Sequence, residues 1–319
     1  MAITKIITYH FVKDEKDSFY DNIVGLKKSE FIRQINFLKK KYSIISMEEL
    51  IHNFSNKIIP KKQSAVLTFD DGYKCHYDIV YPILKKEKIS GAFYPTKFTL
   101  EQKGLLSVNK IHLLLTKFKN KEKLKFEIFD FFSEKEVLFY QKKLHKIFLK
   151  NSRKHTTFYD DKDTLTCKFL LQYLIPELKR NKIMDFLYKT HIKKNQKSFI
   201  KKFYLNKHQA REMIQNGMHF GSHGNNHDYW WEYLSKKKQN KEIQDSKKYL
   251  IKLGAKKDNF TICYPWGSYN HSTIKILKGH ECKIGLTTKP GIIKNLRINS
   301  LTLPRVDTNE IKKEYIKKN

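Results

Sequence analysis

Two neighbouring carboxylates, Asp70 and Asp71, close the stretch SAVLTFDDGY just before a glycine. Adjacent side chains of an extended strand point to opposite faces, but where the backbone turns at a strand's C-terminal end both carboxylates can reach one crevice. Gly72 permits that turn. Aspartate also caps helices, so DDG alone divides evenly between capping and catalysis. A second stretch, GSHGNNHDYW, sets His223 and His227 four residues apart. That spacing suits two imidazoles on one metal ion, since a helical turn brings such side chains to about 5–6 Å. Gly224 and the two asparagines fit a turn or a short first helical turn. A lone histidine is ordinarily structural, whereas H-x-x-x-H in a chain that also carries an Asp-Asp strand end is seldom accidental.

Two further motifs follow strand-like segments. In CYPWGSYN, Cys263 to Asn270, Pro265 and Gly267 fix a turn. Tyr9 and His10 end the first strand pattern, KIITYH. Taken singly, one reads as a turn with a packed Trp266 and the other as a core histidine. Taken together, four polar or turn motifs at the ends of four strands describe one face of a barrel, where α/β proteins build their sites.

The elements that would carry these motifs alternate. After KIITYH, the segment SEFIRQINFLKKKY predicts a helix that Ser29 can cap and whose Phe31, Ile35 and Leu38 share a face. Ser64–Asp70 is the next strand, then an amphipathic helix around DIVYPILKKEKI, then the strand GAFYPT. Such a strand–helix–strand unit implies parallel pairing. From about residue 97 to 204 the alternation stops, and Lys-, Phe- and Leu-rich helical segments predict a helical insertion into a single domain spanning 1–319. Alternation then resumes through NKHQAREMIQN, MHFGSH, a helix over Ser235–Leu253 ended by Gly254, and the strands NFTICYP, CKIGLTT and SLTLPRV.

Charge narrows the partners. Lys+Arg 64 against Asp+Glu 32 leaves a formal +32, which raises nucleic acid or an anionic surface. Arginine occurs only at positions 33, 153, 180, 211, 297 and 305, so nearly all of this charge is lysine. Specific phosphate and base readout favours the arginine fork, and no nucleic-acid motif is present, so no nucleic-acid partner is expected. Peripheral contact with an anionic membrane is admitted. The start MAITKIITYHF has no basic segment followed by an apolar run, and the four cysteines form no CxxC pair. A reducing, cytoplasmic location is the expectation.

TFDDG, SHGNNH, YPWG and the opening YH, in this order, resemble the polysaccharide deacetylase family, carbohydrate esterase family 4. The resemblance implies a distorted (β/α) barrel with one divalent metal ion, zinc first, with cobalt, nickel or manganese as alternatives. It also implies Asp71, His223 and His227 as the metal ligands and Asp70 as the general base. The turn Tyr264–Pro265–Trp266 would bind substrate and oxyanion, with the Trp266 amide facing the oxyanion. Two departures stand out. Where many members carry an arginine that pairs with the base, this chain has Cys263, and Arg305 in LPRVD is expected to replace it. A late histidine acid is missing, and His10 resembles the acid of an exopolysaccharide-acting branch that begins with YH.

The implied reaction removes an N-acetyl group from an amino sugar, and the start of the sequence, read as lacking a signal peptide, makes a nucleotide- or lipid-linked precursor of a surface polysaccharide the expected substrate. A deformylase or other small-amide hydrolase on the same site, or a catalytically inactive carbohydrate-binding barrel, are the alternatives.

Overall fold

Strands that are buried along their whole length, rather than on alternate residues, belong in a parallel sheet covered on both faces. Thr4–Tyr9 and Ser64–Asp70 are buried at every position. A computed structural model describes residues 3–17, 23–152, 160–192, 196–227 and 231–316. Among these, the strands are β1 (Thr4–Tyr9), β2 (Val12–Lys13), β3 (Leu26–Lys27), β4 (Ser43–Ile44), β5 (Ser64–Asp70), β6 (Ala92–Tyr94), β7 (His219–Phe220), β8 (Thr261–Cys263), β9 (Ile284–Pro290) and β10 (Leu303–Asp307).

Seven of them run in the order β7-β6-β5-β1-β10-β9-β8, with β4 beside β5, and every pair in this sheet is parallel. The two ends of the sheet meet through one parallel bridge. The Ser222 amide donates to Thr261 O at 2.9 Å and the Cys263 amide to Ser222 O at 2.8 Å. The result is a nearly closed parallel barrel with surrounding helices, the distorted (β/α) barrel expected from the sequence. Ile6, Val66, Tyr94, Ile284, Leu286 and Leu303 are buried in one cluster, and burying each such side chain stabilises the fold by about 1.5–3 kcal/mol.

An aromatic ladder crosses four neighbouring strands. Tyr9 stacks on Phe69 at 5.1 Å between ring centroids, Phe69 on Phe93 at 4.8 Å, and Phe93 on Phe220 at 5.5 Å. These residues are paired in register, Tyr9 with Phe69, Phe69 with Phe93 and Phe93 with Phe220. The residues that follow them, His10 and Asp70 among them, are therefore brought level at one end of the barrel.

The first long helix is Lys28–Lys41, and it buries Phe31, Ile35 and Leu38 as the periodicity predicts. Ser29 does not cap it. The helix starts directly after β3, with Lys27 at the cap position, and the Ser29 hydroxyl donates to Glu15 Oε1 at 2.5 Å instead.

The chain groups into two units. One comprises Met1–Tyr20, Gly25–Gly104 and Gln196–Asn319 and contains the barrel; the other comprises Asp21–Val24 and Leu105–Asn195. The second is built from helices, among them Ser107–Lys117, Lys121–Phe129 and Glu177–Leu187, around its own core of Ile111, Leu114, Leu124, Ile128, Leu170 and Leu187. The helices Lys97–Leu100 and Gln196–Phe203, inside the 97–204 segment, group with the barrel, and residues 153–159 and 193–195 lie outside the described residues.

Candidate active site

Asp70 is the last residue of β5, and Asp71 follows in the left-handed region, φ +71°, with Gly72 at φ +72°. Two successive left-handed residues turn the chain sharply. A Cβ at position 72 would also lie 2.6 Å from Pro95 Cβ, so both conformation and space demand glycine there. The turn aims the two carboxylates at one buried region by different routes. Neither is an N-cap.

The Asp70 carboxylate is 1 % exposed and accepts from Arg305 Nη1, at 3.0 Å to Oδ1 and 2.8 Å to Oδ2. Arg305 stands on β10 and is itself fixed, its Nε donating to Thr287 O at 2.9 Å. The Cys263 thiol donates to Asp70 Oδ2 at 3.4 Å, and His10 Nε2 lies 3.8 Å from the same oxygen. Burial works against a charge on Asp70, but Arg305, with the histidines nearby, more than offsets it and holds the carboxyl below the usual range. The His10 side chain is 53 % exposed, so this partner of Asp70 reaches solvent whereas Arg305 does not.

The Asp71 carboxylate faces the histidine pair. Its Oδ1 is 3.5 Å from His223 Nε2 and 3.8 Å from His227 Nε2, and Oδ2 accepts from the Tyr73 hydroxyl at 2.8 Å. His223 Nδ1 donates to Cys263 O at 2.7 Å, which fixes the tautomer and leaves Nε2 as a donor atom for a ligand. At His227, burial and the neighbouring His223 pull the pKa down to about 3. The stretch between the histidines is not a helical turn: Gly224 (φ +77°) and His227 (φ +61°) are left-handed, and this loop brings the two rings to 4.6 Å between centroids.

One donor atom from each of Asp71, His223 and His227 lies within 4.8 Å of the others. Two donors bound at about 2.0–2.1 Å to a tetrahedral zinc ion sit roughly 3.3 Å apart, so the three fit one divalent ion with little adjustment. An Asp-His-His set is also a three-ligand set, which leaves a coordination position open to a substrate or water.

The YPWG turn contributes differently along its length. Tyr264 is buried, with its hydroxyl donating to Leu301 O at 2.6 Å, so its side chain packs in the core and only its backbone belongs to the turn. Pro265 is buried. Trp266 is left-handed (φ +59°), packs its ring 5.0 Å from that of His227, and donates from Nε1 to His227 O at 3.1 Å. The indole thus fastens the end of the histidine loop.

All nine residues singled out in the sequence therefore come to one end of the barrel, with the Tyr264 side chain turned away. Sequence reasoning missed Tyr73 and the backbone carbonyl of Cys263, which orient Asp71 and His223. The first had a signal, a hydroxyl two residues beyond a ligand-type carboxylate; the second had none, being a main-chain group.

The polysaccharide deacetylase family model matches residues 57–112 and 150–285, more than half of the chain. The chain belongs to the polysaccharide deacetylase family. YxkH of Bacillus subtilis (strain 168), which carries a polysaccharide deacetylase name, is 34% identical over 95 residues, and that match spans 30% of this chain and 33% of the relative. Among solved structures, the Streptococcus pyogenes deacetylase PplD in complex with acetate is similar at a TM-score of 0.57, with 22% identity over 96% of this chain and 92% of that one. A de-N-acetylase from Aggregatibacter actinomycetemcomitans gives 0.56, with 18% identity over 98% and 99% of the two chains. IcaB from Ammonifex degensii gives 0.55, with 14% identity over 96% and 91%. These structural likenesses concern the fold.

Proposed function

We propose that this protein is a metal-dependent hydrolase that removes the acetyl group from an N-acetylated amino sugar. The observation that carries the reading is the placing of Asp70 between a buried cation and an exposed imidazole, Arg305 at 2.8 Å and His10 at 3.8 Å, beside the converging Asp71, His223 and His227. The family and the names of its relatives support the acetyl group.

Asp71, His223 and His227 are the proposed ligands of one divalent ion, zinc first, with cobalt, nickel or manganese also suited to the donor set. When bound, such an ion supplies Lewis acidity. Asp70, ionised because Arg305 and the nearby histidines together outweigh its burial, takes a proton from the attacking water as that water's oxygen bonds to the amide carbon. The Trp266 amide is the proposed donor to the oxygen that gains charge in that step. His10 gives a proton to the amide nitrogen as the C–N bond breaks, leaving acetate and a free amine. An acid that must meet a bulky leaving group fits an exposed side chain, and His10 has one.

The formal charge of +32 favours an anionic carrier on the sugar, so a nucleotide- or lipid-linked precursor of a surface polysaccharide is the first form to test. No described helix is long and apolar enough to cross a membrane. The test incubates zinc-loaded protein with N-acetyl and N-formyl amino sugars, free, nucleotide-linked and lipid-linked, and follows acyl loss by mass. Deacetylation abolished by Asp70→Asn supports the reading. Loss of formyl alone would move it to a deformylase, and no turnover of any member by the loaded protein would overturn it.

A further inference from the structure

His76 is a fully buried histidine that the reaction above does not use. It stands six residues beyond Asp70, in the short helical turn His76–Val80, with its ring packed 5.6 Å from that of Phe69, 5.7 Å from Tyr73 and 5.8 Å from Phe93. Its Nε2 lies 2.7 Å from the carbonyl oxygen of His10. A carbonyl only accepts, so Nε2 carries the proton. Burial lowers the His76 pKa to about 4, which keeps the ring neutral near pH 7 and adds no second positive charge beside Asp70.

The neighbouring Cys75 holds the same loop. The Val12 amide donates to Cys75 Sγ at 3.3 Å, and the Phe11 carbonyl between the two tethers accepts from the Leu26 amide at 2.9 Å. The segment His10–Val12 leaves β1 at the barrel's end and passes into β2, which pairs with β3, while the Phe11 ring packs on Tyr73 and Phe203. The tethers to His10 and to Val12 from His76 and Cys75 come from the residues directly downstream of the DDGY turn. The element that carries Asp70 is thereby fastened to the element that carries His10.

We propose that His76, seconded by Cys75, is a positioning residue that holds the His10 backbone so that the His10 imidazole stands beside Asp70. This inference rests on the reading of His10 as the acid. A core histidine with no such role would tolerate any substitution that keeps the fold, whereas a tether needs a donor at the Nε2 position.

The experiment compares His76→Phe, which removes the donor, with His76→Gln, whose amide nitrogen can replace it, each in zinc-loaded full-length protein. His76→Phe is expected to lower kcat by about 10–100-fold with KM within about twofold, and His76→Gln to recover to within about threefold. Cys75→Ala, losing the weaker tether, is expected to cost about twofold to fivefold. In a His10→Ala background the His76→Phe effect should vanish, because the two residues act as one unit. Equal losses in Phe and Gln variants, or an undiminished effect without His10, would overturn the proposal.

A readout independent of turnover separates the two readings. The His10 ring Cε1–H resonance, assigned by its absence in His10→Ala, should shift or broaden in His76→Phe and return in His76→Gln. If that signature appears but His10→Ala retains full activity, the acid assignment fails while the tether stands. An unchanged resonance in His76→Phe would remove the tether itself.

Discussion

Arg305 Nη1 lies 2.8 Å from Asp70 Oδ2, although 235 residues separate the two in the chain. The pairing depends on β1 standing between β5 and β10: Arg305 is the middle residue of β10, and its side chain runs past Thr68 to reach the end of β5. It also places the cation where Cys263 cannot supply one. Both partners are buried, and removing one leaves an uncompensated charge.

Arg305→Gln is therefore expected to destabilise the fold by about 3–5 kcal/mol and to lower kcat/KM by about 100-fold or more. Arg305→Lys should recover part of the stability but little of the geometry. Denaturant melts and turnover, measured side by side, check both statements. A silent Arg305→Gln would show that Asp70 needs no partner.

Metal content gives an independent test. The wild-type protein should carry about one zinc-like ion per chain, lost in His227→Ala and in Asp71→Asn, and chelation should abolish activity that zinc restores. Elemental analysis reads this without knowledge of the substrate.

Tyr73→Phe removes only the hydroxyl that donates to Asp71 Oδ2 at 2.8 Å. Freed from that contact, Asp71 loses a fixed orientation, and metal affinity should weaken by about 10–100-fold while the melting temperature stays within a few degrees. Competition with a chelator measures the shift. Unchanged affinity would make the tyrosine a packing residue.

Gly72→Ala forces a side chain into a left-handed turn and against Pro95. The combined strain and crowding should cost about 2–4 kcal/mol and disturb both carboxylates. The check is a melting temperature several degrees lower together with weaker metal retention. A normal melt with lost metal would mean that the turn relaxes at the site alone.

Away from the site, Glu314 accepts from Lys5, and from Lys41 at 2.9 Å, and these contacts, against its partial burial, hold its pKa below the usual value. A depressed carboxylate stabilises the fold above its unfolded pKa, about 4.3, and that contribution is lost as pH falls through the folded value. Glu314→Gln should cost about 1 kcal/mol at pH 7, and the difference from wild type should fade at acid pH. Denaturant melts at both pH values read the crossover.

How legible the site was depended on the kind of interaction involved. Asp70, Asp71, His223 and His227 announce themselves because their chemistry and spacing occur within short stretches next to apolar strands. The geometry of the histidine pair did not follow from spacing, since Gly224 and His227 adopt left-handed conformations that a helical reading excludes. Ser29 looked like a cap because it precedes an apolar periodicity, but β3 already delivers the chain into the helix and Glu15 competes for its hydroxyl. Tyr264 has a polar tip and a strand-end position, yet the carbonyl of Leu301 draws it inward. His76 gave no signal at all, because its partner is a main-chain oxygen 66 residues away.

The pairing of β6 with β7 sets Ala92 opposite His219, and nearby Ser90 Oγ donates to Gly217 O across 127 residues. Between these strands the chain builds a helical unit with its own apolar core. Closing a flexible loop of that length is slow, because the entropy is lost before any contact across it forms. A unit rich in local helical contacts can collapse first and turn the long loop into a compact connector. On that view the order of folding runs against the order of the barrel strands: β6 waits for β7 and β1 for β10, and until they arrive the open edges of β6 and β1 are exposed to wrong pairing.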